Sequence, residues 1–269
     1  MLSRIEDTAV RACLAGGRHL RDRFDADVDA EFARHDVKAA ADRASEERML
    51  AVIEESCPDH AVYAEESGDV STGGDYQWVV DPLDGTNNFV SGLPSFATAA
   101  AVLVGDGGRP RNDEADETGL ADDDGPVVGC VYVPVTDDLY VARRGEGVTL
   151  NGEPVTADGG VPTAKATVGF VIGHDVKLDD RMDEAVTMQS ALAGATKRVV
   201  ESWSPCVHWG ALARGRLDGM VCFYPDDEEQ HVGELLAAEA GASIARPGDG
   251  VYVAATTESV RDDLLATIE

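Results

Sequence analysis

Apolar positions along this chain recur with two spacings, and the spacing changes from segment to segment. Spacing typical of amphipathic helices covers residues 3–25, 42–56, 179–194, 206–214 and 231–241. Shorter apolar runs, which indicate strands, cover residues 60–64, 76–81, 96–104, 127–133, 138–142, 167–173 and 218–224. Strands and helices alternate in the second half of the chain. The pattern therefore predicts a layered body in which helices cover sheets.

One interval interrupts this pattern. Residues 105–126 contain eight acidic residues, two arginines and no apolar period. Such a composition cannot build a core, so it predicts an acidic insertion loop between two strands. We expect an amino-terminal α+β lobe over residues 1–145 and a carboxy-terminal α/β lobe over residues 146–269. With 269 residues the chain is long enough for both lobes to share one compact unit.

The charge of the chain is unusual. Asp and Glu number 51, Lys and Arg number 22, and the formal net charge is −29. Only four of the basic residues are Lys. Because the acidic excess is spread along the whole chain, it favours a halophilic protein that works in molar salt, where such repulsion is screened. The alternative is an ordinary acidic protein with one acidic loop. Either way, the charge argues against a nucleic-acid partner.

The cysteines and the amino terminus indicate the compartment. Five cysteines are dispersed without a Cys-x-x-Cys pair, as expected of reduced thiols in a cytoplasm. The first residues turn acidic at once, and no long apolar stretch follows them, so no signal peptide is predicted. The longest apolar-rich stretch, residues 96–104, is too short to span a bilayer. We therefore expect a cytoplasmic protein that does not associate with a membrane.

The segment that carries the clearest chemistry follows the predicted strand at 76–81. Asp81 and Asp84 flank Pro82-Leu83, and Gly85 and Thr86 come next. Two carboxylates and a carbonyl at a strand end can converge on a hard divalent cation, which prefers oxygen ligands. The glycine allows close approach of a ligand, and the threonine can open a helix whose free N–H groups suit phosphate. The alternative is a solvated turn or helix cap.

A second acidic pair favours the metal site. Glu65 and Glu66 follow the predicted strand at 60–64, much as Asp81 ends the strand at 76–81. Two adjacent strands that end in carboxylates can converge on one cation. On its own, Glu-Glu in so acidic a chain would be a surface pair. The two motifs together predict metal-assisted phosphate chemistry.

These two motifs, Ala64-Glu65-Glu66-Ser67 and Trp78-Val79-Val80-Asp81-Pro82-Leu83-Asp84-Gly85-Thr86-Asn87-Asn88-Phe89, resemble the inositol monophosphatase family of Mg-dependent, lithium-sensitive phosphatases. That superfamily includes archaeal fructose-1,6-bisphosphatases. The segment at 36–42 resembles the family's amino-terminal acidic motif, and Ala213 to Gly219 resembles one of its later segments. The resemblance implies an αβαβα layered sandwich and a homodimer. It also implies that the metal motifs belong to the first lobe and substrate recognition to the second.

The resemblance implies a ligand set for two or three Mg²⁺ ions. Its members are the carboxylates of Glu65, Asp81, Asp84 and Glu229 and the carbonyl of Leu83. Glu229 stands where the family has the Asp of Trp-Asp, and its side chain is one methylene longer. The alternative for Glu229 is an exposed acidic run over residues 226–229.

The resemblance also implies the residues that activate water. Asp42 and Thr86 would orient the attacking water, with the Thr86 hydroxyl as the relay, and Glu66 would lie in the outer shell of the metal site. From the residues alone, Asp42 and Thr86 could equally be helix caps.

The substrate side departs from the family. Gly85 and Thr86 N–H groups would receive the phosphate, and Ser204 and Cys222 occupy substrate-binding positions. Trp203-Ser204-Pro205 replaces a turn of small residues, and Cys222 replaces an acidic residue. A thiol is a weak hydrogen-bond acceptor. These changes therefore bear on which alcohol is recognised more than on the phosphatase reaction itself.

The predicted function is therefore Mg²⁺-dependent hydrolysis of a small phosphorylated metabolite, inositol monophosphate or fructose-1,6-bisphosphate or both, by attack of metal-activated water. One alternative is a 3′(2′),5′-bisphosphate nucleotidase. Another is a degenerate relative that binds an anionic metabolite without turning it over.

Overall fold

The computed structural model describes residues 1–24, 30–32, 37–105 and 125–269. In chain order the elements are α1 Leu2–Phe24, β1 Ala30–Phe32, β2 Val37–Ala39, α2 Ala40–Ser56, β3 Ala61–Ala64, β4 Gly68–Ser71, β5 Tyr76–Asp84, α3 Thr86–Val90, β6 Ala97–Val104, β7 Pro126–Val133, β8 Asp138–Arg143, β9 Gly147–Leu150, β10 Glu153–Val155, β11 Thr167–Ile172, α4 Asp175–Leu178, α5 Met182–Ala195, β12 Arg198–Val200, α6 Pro205–Ala213, β13 Gly219–Phe223, α7 Asp227–Glu239, β14 Ser243–Gly248, β15 Val251–Ala255 and α8 Glu258–Ile268. Residues 106–124 of the predicted acidic insertion, and Asp36 of the amino-terminal motif, lie outside the described residues.

The strands form two large sheets and a small hairpin. The first large sheet has eight strands in the order β10-β9-β8-β7-β6-β5-β3-β4, and only β3 and β5 in it run parallel. The second has five strands in the order β12-β11-β13-β15-β14, of which the first three are parallel. Strands β1 and β2 pair only with each other. Both large sheets are thus mixed.

Five layers result from packing helices on these sheets. Trp78 and Val80 of β5 point into the core shared with α1 and α2, whereas Val79 points to the opposite face, into the core shared with α6 and α7. The second core also receives Cys222 from the second sheet, so α6 and α7 lie between the sheets. Helices α5 and α8 cover the outer face of the second sheet. The αβαβα sandwich expected from the resemblance is confirmed.

Two element boundaries differ from the predicted ones where the site is built. Strand β5 continues to Asp84 instead of ending at Asp81, and α7 begins at Asp227 instead of residue 231. The first turn of α7 is wholly acidic, so apolar periodicity could not reveal it. Asp and Glu are favoured there because the amino-terminal end of a helix carries partial positive charge. Glu229 therefore lies in the first turn of α7, and not before the helix as the predicted boundary implied.

The remaining differences are elements that the apolar pattern did not predict. They are short strands, two strands of the carboxy-terminal hairpin and three helices: β1, β2, β4, β9, β10, β12, β14, β15, α3, α4 and α8. Most are three to six residues long or lie at sheet edges, where few apolar side chains are required. Among the described helices, none combines the length and apolar character that crossing a membrane would need. The division into lobes at residue 145 stays a prediction.

The contact between α6 and α7 generates a stability prediction. A Cβ atom placed on Gly233 would lie 2.1 Å from Nε1 of Trp209, a ring that is fully buried. We expect Gly233→Ala to lower the free energy of unfolding by about 1–3 kcal/mol, because the middle layer cannot absorb another methyl group. Gly194→Ala is the matched control, since that helical glycine is exposed and has open space around it, and it should stabilise by about 0.5–1 kcal/mol. Denaturant melts would measure both, and equal effects would contradict the packing argument.

Candidate active site

The site begins where the parallel pairing of β3 and β5 ends. Ala64 is the last residue of β3 and lies opposite Val80, and the Glu65 N–H donates to the Val80 carbonyl at 3.1 Å. Glu65, directly after β3, and Asp81, the next residue of β5, therefore lie at the same end of this strand pair. Ligands bind at such carboxyl ends in many α/β proteins.

A bulge in β5 turns its two aspartates toward the same place. Residues three apart in a regular strand point to opposite faces. Here Asp81 pairs with Ala99 and Asp84 with Ala97, so β5 has one residue more than β6 between these pairs. The extra residue puts both carboxylates on one face. Pro82, which has no N–H to give to the ladder, suits this interruption.

Helix α2 supports the bulge from the outer layer. Its Ser45 hydroxyl donates to the Pro82 carbonyl at 2.8 Å. Its first turn carries Asp42, whose Oδ2 lies 3.3 Å from the Thr86 hydroxyl. The same hydroxyl lies 3.0 Å from the Leu83 carbonyl. Thr86 therefore stands between a buried carboxylate and the carbonyl that was predicted to face the metal.

Helix α6 supports Asp84 from the middle layer. Oδ2 of Asp84 accepts the Ser204 hydroxyl at 2.7 Å and the Cys206 N–H at 3.1 Å. Its Oδ1 is buried and has no hydrogen-bond partner among the described residues. Asp81 is held similarly, because its Oδ1 accepts the Leu83 N–H at 2.9 Å. Both aspartates are only 2% exposed, so a buried, oriented oxygen of Asp84 is left to face a ligand.

These groups open onto a cleft between the two sheets. Helix α7 brings Glu229 to it, and β11 contributes its carboxyl end. The lining residues are Glu65, Asp81, Leu83, Asp84, Gly85, Thr86, Asn87, Phe170, Val171, Ile172, His174, Glu201, Trp203, Ser204, Pro205, His208, Asp226 and Glu229. Among these described lining residues six are acidic and none is Lys or Arg.

The crowding of carboxylates raises their pKa values. Burial raises the pKa of Asp81, and the charges of Glu65 and Asp84 add to the effect. Burial raises the pKa of Asp84 to about 7, although the hydrogen bonds from Ser204 and the backbone oppose the shift. Burial also raises the pKa of Glu229, and the charge of Asp84 is the next largest cause. Neighbouring carboxylates thus make ionisation of Asp81 and Glu229 harder, and a bound cation would reverse that penalty.

The donor set fits a hard cation. Glu65, Asp81, Asp84, Glu229 and Leu83 line one cleft, and oxygen is the ligand that Mg²⁺ prefers. The buried Oδ1 of Asp84 has no hydrogen-bond partner among the described residues. Asp81 and Asp84 belong to a group whose potential ligand atoms all lie within 4.8 Å of one another. The side chains present are therefore those that a divalent cation requires.

The far side of the cleft is acidic and aromatic. Trp203 is 37% exposed and has a φ of 53°, a backbone conformation that only glycine adopts without strain. The Lys177 ammonium lies 3.5 Å from the centroid of its ring, and Lys177 is not a lining residue. Asp226 accepts the His174 N–H through both oxygens, at 3.0 and 3.1 Å. Burial raises the pKa of Asp226 to about 6.

Most of the predicted site residues meet in this cleft. Those that line it are Glu65, Asp81, Leu83, Asp84, Gly85, Thr86, Ser204 and Glu229. Asp42 lies behind Thr86 and does not line the cleft. Glu66 is also not a lining residue, and its N–H donates to Glu46. Cys222 is fully buried on β13, where it packs in the middle core away from the lining.

Sequence reasoning did not predict two of the acidic lining residues, Glu201 and Asp226. Asp226 follows β13 by three residues, so the rule that led to Asp81, a carboxylate after an apolar strand, could have found it. Glu201 directly follows β12, a three-residue edge strand too short to be seen in the apolar pattern.

Comparison with known proteins gives consistent matches. A family model described as the inositol monophosphatase family matches residues 1–111 and 118–264. A fructose-1,6-bisphosphatase/inositol-1-monophosphatase from Aquifex aeolicus is 34% identical over 256 residues, covering 92% of this chain and 88% of that protein. The Nus factor SuhB of Haemophilus influenzae is 29% identical over 242 residues, covering 88% and 82%. The structure of inositol monophosphatase from Anabaena (Nostoc) sp. PCC 7120 has a TM-score of 0.80 at 26% identity, covering 99% of this chain and 96% of that one.

The raised pKa of Glu229 generates a prediction for the metal-free protein. Because folding raises this pKa, the ionised side chain destabilises the folded state at neutral pH. Glu229→Gln should therefore increase the free energy of unfolding by on the order of 1 kcal/mol at pH 7. The gain should vanish as the pH falls below the usual pKa of glutamate, where both side chains are neutral. Asp227→Asn, an exposed change in the same helical turn, is the control and should lower the free energy of unfolding by less than about 1 kcal/mol, because it removes a favourable charge from the helix start.

Proposed function

Because the chain belongs to the inositol monophosphatase family, whose members are phosphatases, we propose that it is a Mg²⁺-dependent phosphomonoester hydrolase acting on a phosphorylated polyol. The observation that carries this proposal is the convergence of four carboxylates beside the Thr86–Asp42 pair in one cleft. Inositol monophosphate and fructose-1,6-bisphosphate are the first candidate substrates, the two activities in the name of the Aquifex relative.

The cation would be held by the convergent oxygens. The proposed ligands for two or three Mg²⁺ ions are the carboxylates of Glu65, Asp81, Asp84 and Glu229 and the carbonyl of Leu83. When bound, Mg²⁺ supplies Lewis-acid stabilisation of the phosphate oxygens and makes a bound water more acidic. The chain itself keeps Asp84 in position through the Ser204 hydroxyl and the Cys206 N–H. Ser204 was predicted to bind substrate, but its hydroxyl donates a hydrogen bond to Asp84. We therefore propose that it acts by positioning that carboxylate.

Thr86 and Asp42 would handle the attacking water. In this proposal the water donates a hydrogen bond to the Thr86 oxygen, while the Thr86 hydroxyl donates to Asp42 at the observed 3.3 Å. The carboxylate of Asp42 then accepts the proton through the threonine as attack proceeds, which is general-base catalysis by relay. Asp42 is 2% exposed, so bulk water does not compete for it. Glu66 contributes negative charge beside Glu65 without entering the cleft.

The phosphate would lie over the turn at Gly85. The φ of Gly85 is 86°, and a Cβ atom there would lie 2.8 Å from the Ser95 carbonyl and 3.1 Å from the Ser204 Cβ. Only glycine therefore lets the backbone take this path without strain. We propose that the N–H groups of Gly85 and Thr86 receive phosphate oxygens there. No described lining residue is Lys or Arg, so we propose that these backbone N–H groups carry much of the phosphate contact.

The charge of the cleft favours a leaving group without a second phosphate. Glu201 and Asp226 can accept hydrogen bonds from the hydroxyls of a polyol. No described lining residue is Lys or Arg, and burial lowers the pKa of His208 to about 4, which keeps that side chain neutral. A second phosphate would thus meet carboxylates rather than cations. This argues for inositol monophosphate over fructose-1,6-bisphosphate, and against the 3′(2′),5′-bisphosphate nucleotidase alternative.

The net charge indicates the salt concentration that the protein requires. We infer from the −29 charge that the enzyme needs molar salt to be stable and active. Homodimer formation and a cytoplasmic location also stay predictions.

The central test is phosphate release in molar KCl. We expect turnover of inositol 1-phosphate with Mg²⁺ and none with a chelator, and slower turnover of fructose-1,6-bisphosphate and adenosine 3′,5′-bisphosphate. Asp84→Asn should reduce kcat by at least about 100-fold because the buried ligand oxygen loses its charge. Asp227→Asn, exposed in the first turn of α7, should keep normal turnover. No release from a broad panel of phosphomonoesters would favour the non-catalytic alternative, and near-normal turnover by Asp84→Asn would contradict the metal assignment.

Trp203 provides a test of the leaving-group side. Its ring forms part of the cleft wall and is backed by Lys177. Trp203→Gly removes the ring and also relieves the strained φ, so stability should change by less than about 1 kcal/mol as lost cation–π attraction offsets relieved strain. We expect KM for inositol 1-phosphate to rise several-fold while kcat changes little, and Trp203→Phe to keep most of the affinity. Equal KM values in all three proteins would show that the ring does not contact the substrate.

A further inference from the structure

A thiol lies next to the two buried aspartates of the proposed metal site. Asp81, Asp84 and Cys206 form a group whose potential ligand atoms, one carboxylate oxygen from each aspartate and the Cys206 Sγ, all lie within 4.8 Å of one another. Ligand atoms around one cation are typically about 3–4.5 Å apart, because each bond is about 2.0–2.3 Å long. Small side-chain rotations would therefore bring all three atoms onto a single ion.

The position of the thiol follows from the start of α6. Pro205 is the first residue of that helix, and the next N–H, that of Cys206, donates to Asp84 at 3.1 Å. This hydrogen bond connects the backbone of Cys206 directly to the carboxylate. The residue is fully buried and is not a cleft-lining residue, so its side chain lies behind the aspartates rather than in front of them. An ion entering from the cleft would reach the carboxylates first and the sulfur behind them.

A second observation shows that this group faces a ligand. Oδ1 of Asp84 is buried and lacks a hydrogen-bond partner among the described residues, although the other oxygen of the same carboxylate has two. An unsatisfied buried carboxylate oxygen is costly unless something positive engages it. Of the groups of His, Cys, Asp and Glu in the described part of the chain, only this one has the spacing of a metal site.

The chemistry of sulfur determines which ion it would select. Mg²⁺ is a hard cation and gains nothing from a thiol, whereas Zn²⁺, Cd²⁺ and Co²⁺ bind thiolate strongly. We propose that Asp81, Asp84 and Cys206 together form a site for a thiophilic divalent cation, which competes with Mg²⁺ for the same aspartates. On binding, the metal–sulfur bond forms as the thiol proton leaves to solvent. The inference rests on the proposed function only in that both use the two aspartates.

The consequence for the protein is that Mg²⁺ and thiophilic ions compete for the same two aspartates. With Mg²⁺ the thiol stays protonated and the two aspartates act as oxygen ligands. With a thiophilic ion the sulfur adds a third protein ligand, so that ion should bind more tightly and leave more slowly. Traces of Zn²⁺ or Cd²⁺ should therefore occupy the site in preference to Mg²⁺.

Ultraviolet absorption can test the proposal without substrate, because a thiolate bound to Cd²⁺ has a charge-transfer band. Metal-free protein would be titrated with Cd²⁺ in potassium sulfate, since chloride itself binds cadmium. We expect one band per chain that saturates at one equivalent, and at least a ten-fold loss of Mg²⁺ affinity once Cd²⁺ is bound. Cys206→Ser should lose the band and weaken Cd²⁺ binding at least ten-fold. Cys222→Ser, equally buried but outside the group, should keep both.

Several results would overturn the proposal. A wild-type protein without the band, or a Cys206→Ser protein with an unchanged band, would each do so. If Cys206→Ser does not fold, Asp84→Asn retains the thiol and decides the question, because an unchanged Cd²⁺ affinity there would also refute the site. The proposed function is judged separately: phosphate release with Mg²⁺ in a protein that lacks the band would leave it standing. Conversely, the band in a protein without phosphatase activity would support the thiophilic metal site and contradict the proposed function.

Discussion

Mutual repulsion among buried carboxylates is the constraint on which the rest of this structure depends. Asp81 and Asp84 are almost fully buried, and Glu229 is half-buried in the same cleft. Burial raises the pKa values of all three, and neighbouring negative charge adds to the effect at Asp81 and Glu229. A chain would not bring such groups together unless other interactions held them there. Those interactions are hydrogen bonds to the two aspartates from the N–H groups of Leu83 and Cys206 and from the Ser204 hydroxyl, which stabilise the ionised carboxylates.

The middle layer of helices completes the site. The amino-terminal half supplies the bulged end of β5, but α6 supplies the groups that hold Asp84, and α7 supplies Glu229. The contact between Trp209 and Gly233 lets these two helices approach closely. The spacing of the carboxylates thus depends on core packing. A substitution that disturbs the packing of α6 against α7 should therefore shift Asp84 and Glu229 even though it replaces neither residue.

The two sides of the cleft follow different physical rules. On the side where we propose that phosphate binds, the backbone is fixed by a glycine turn, a bulge and a parallel strand pair. On the leaving-group side, Trp203 adopts a strained left-handed backbone conformation, a cost of about 1–3 kcal/mol that must be offset by its surroundings. Lys177 on its ring and the helix that begins at Pro205 provide such support. Backbone strain retained at the edge of a cleft is typical of functional positions.

The sequence by itself determined the layered fold and the local arrangement of the acidic residues that we propose as metal ligands. Asp81, Asp84 and Glu65 could be predicted because strand ends and short spacings are local properties, and the apolar periods located most long elements. Tertiary structure alone decided what completes the site. Cys206 is 122 residues from Asp84, and Ser204 is 120 residues away, yet both bond to it. Glu229 reached the cleft through an acidic helical turn that has no apolar signal. No local pattern can reveal such neighbours, because burial between two sheets, and not spacing along the chain, brings them together.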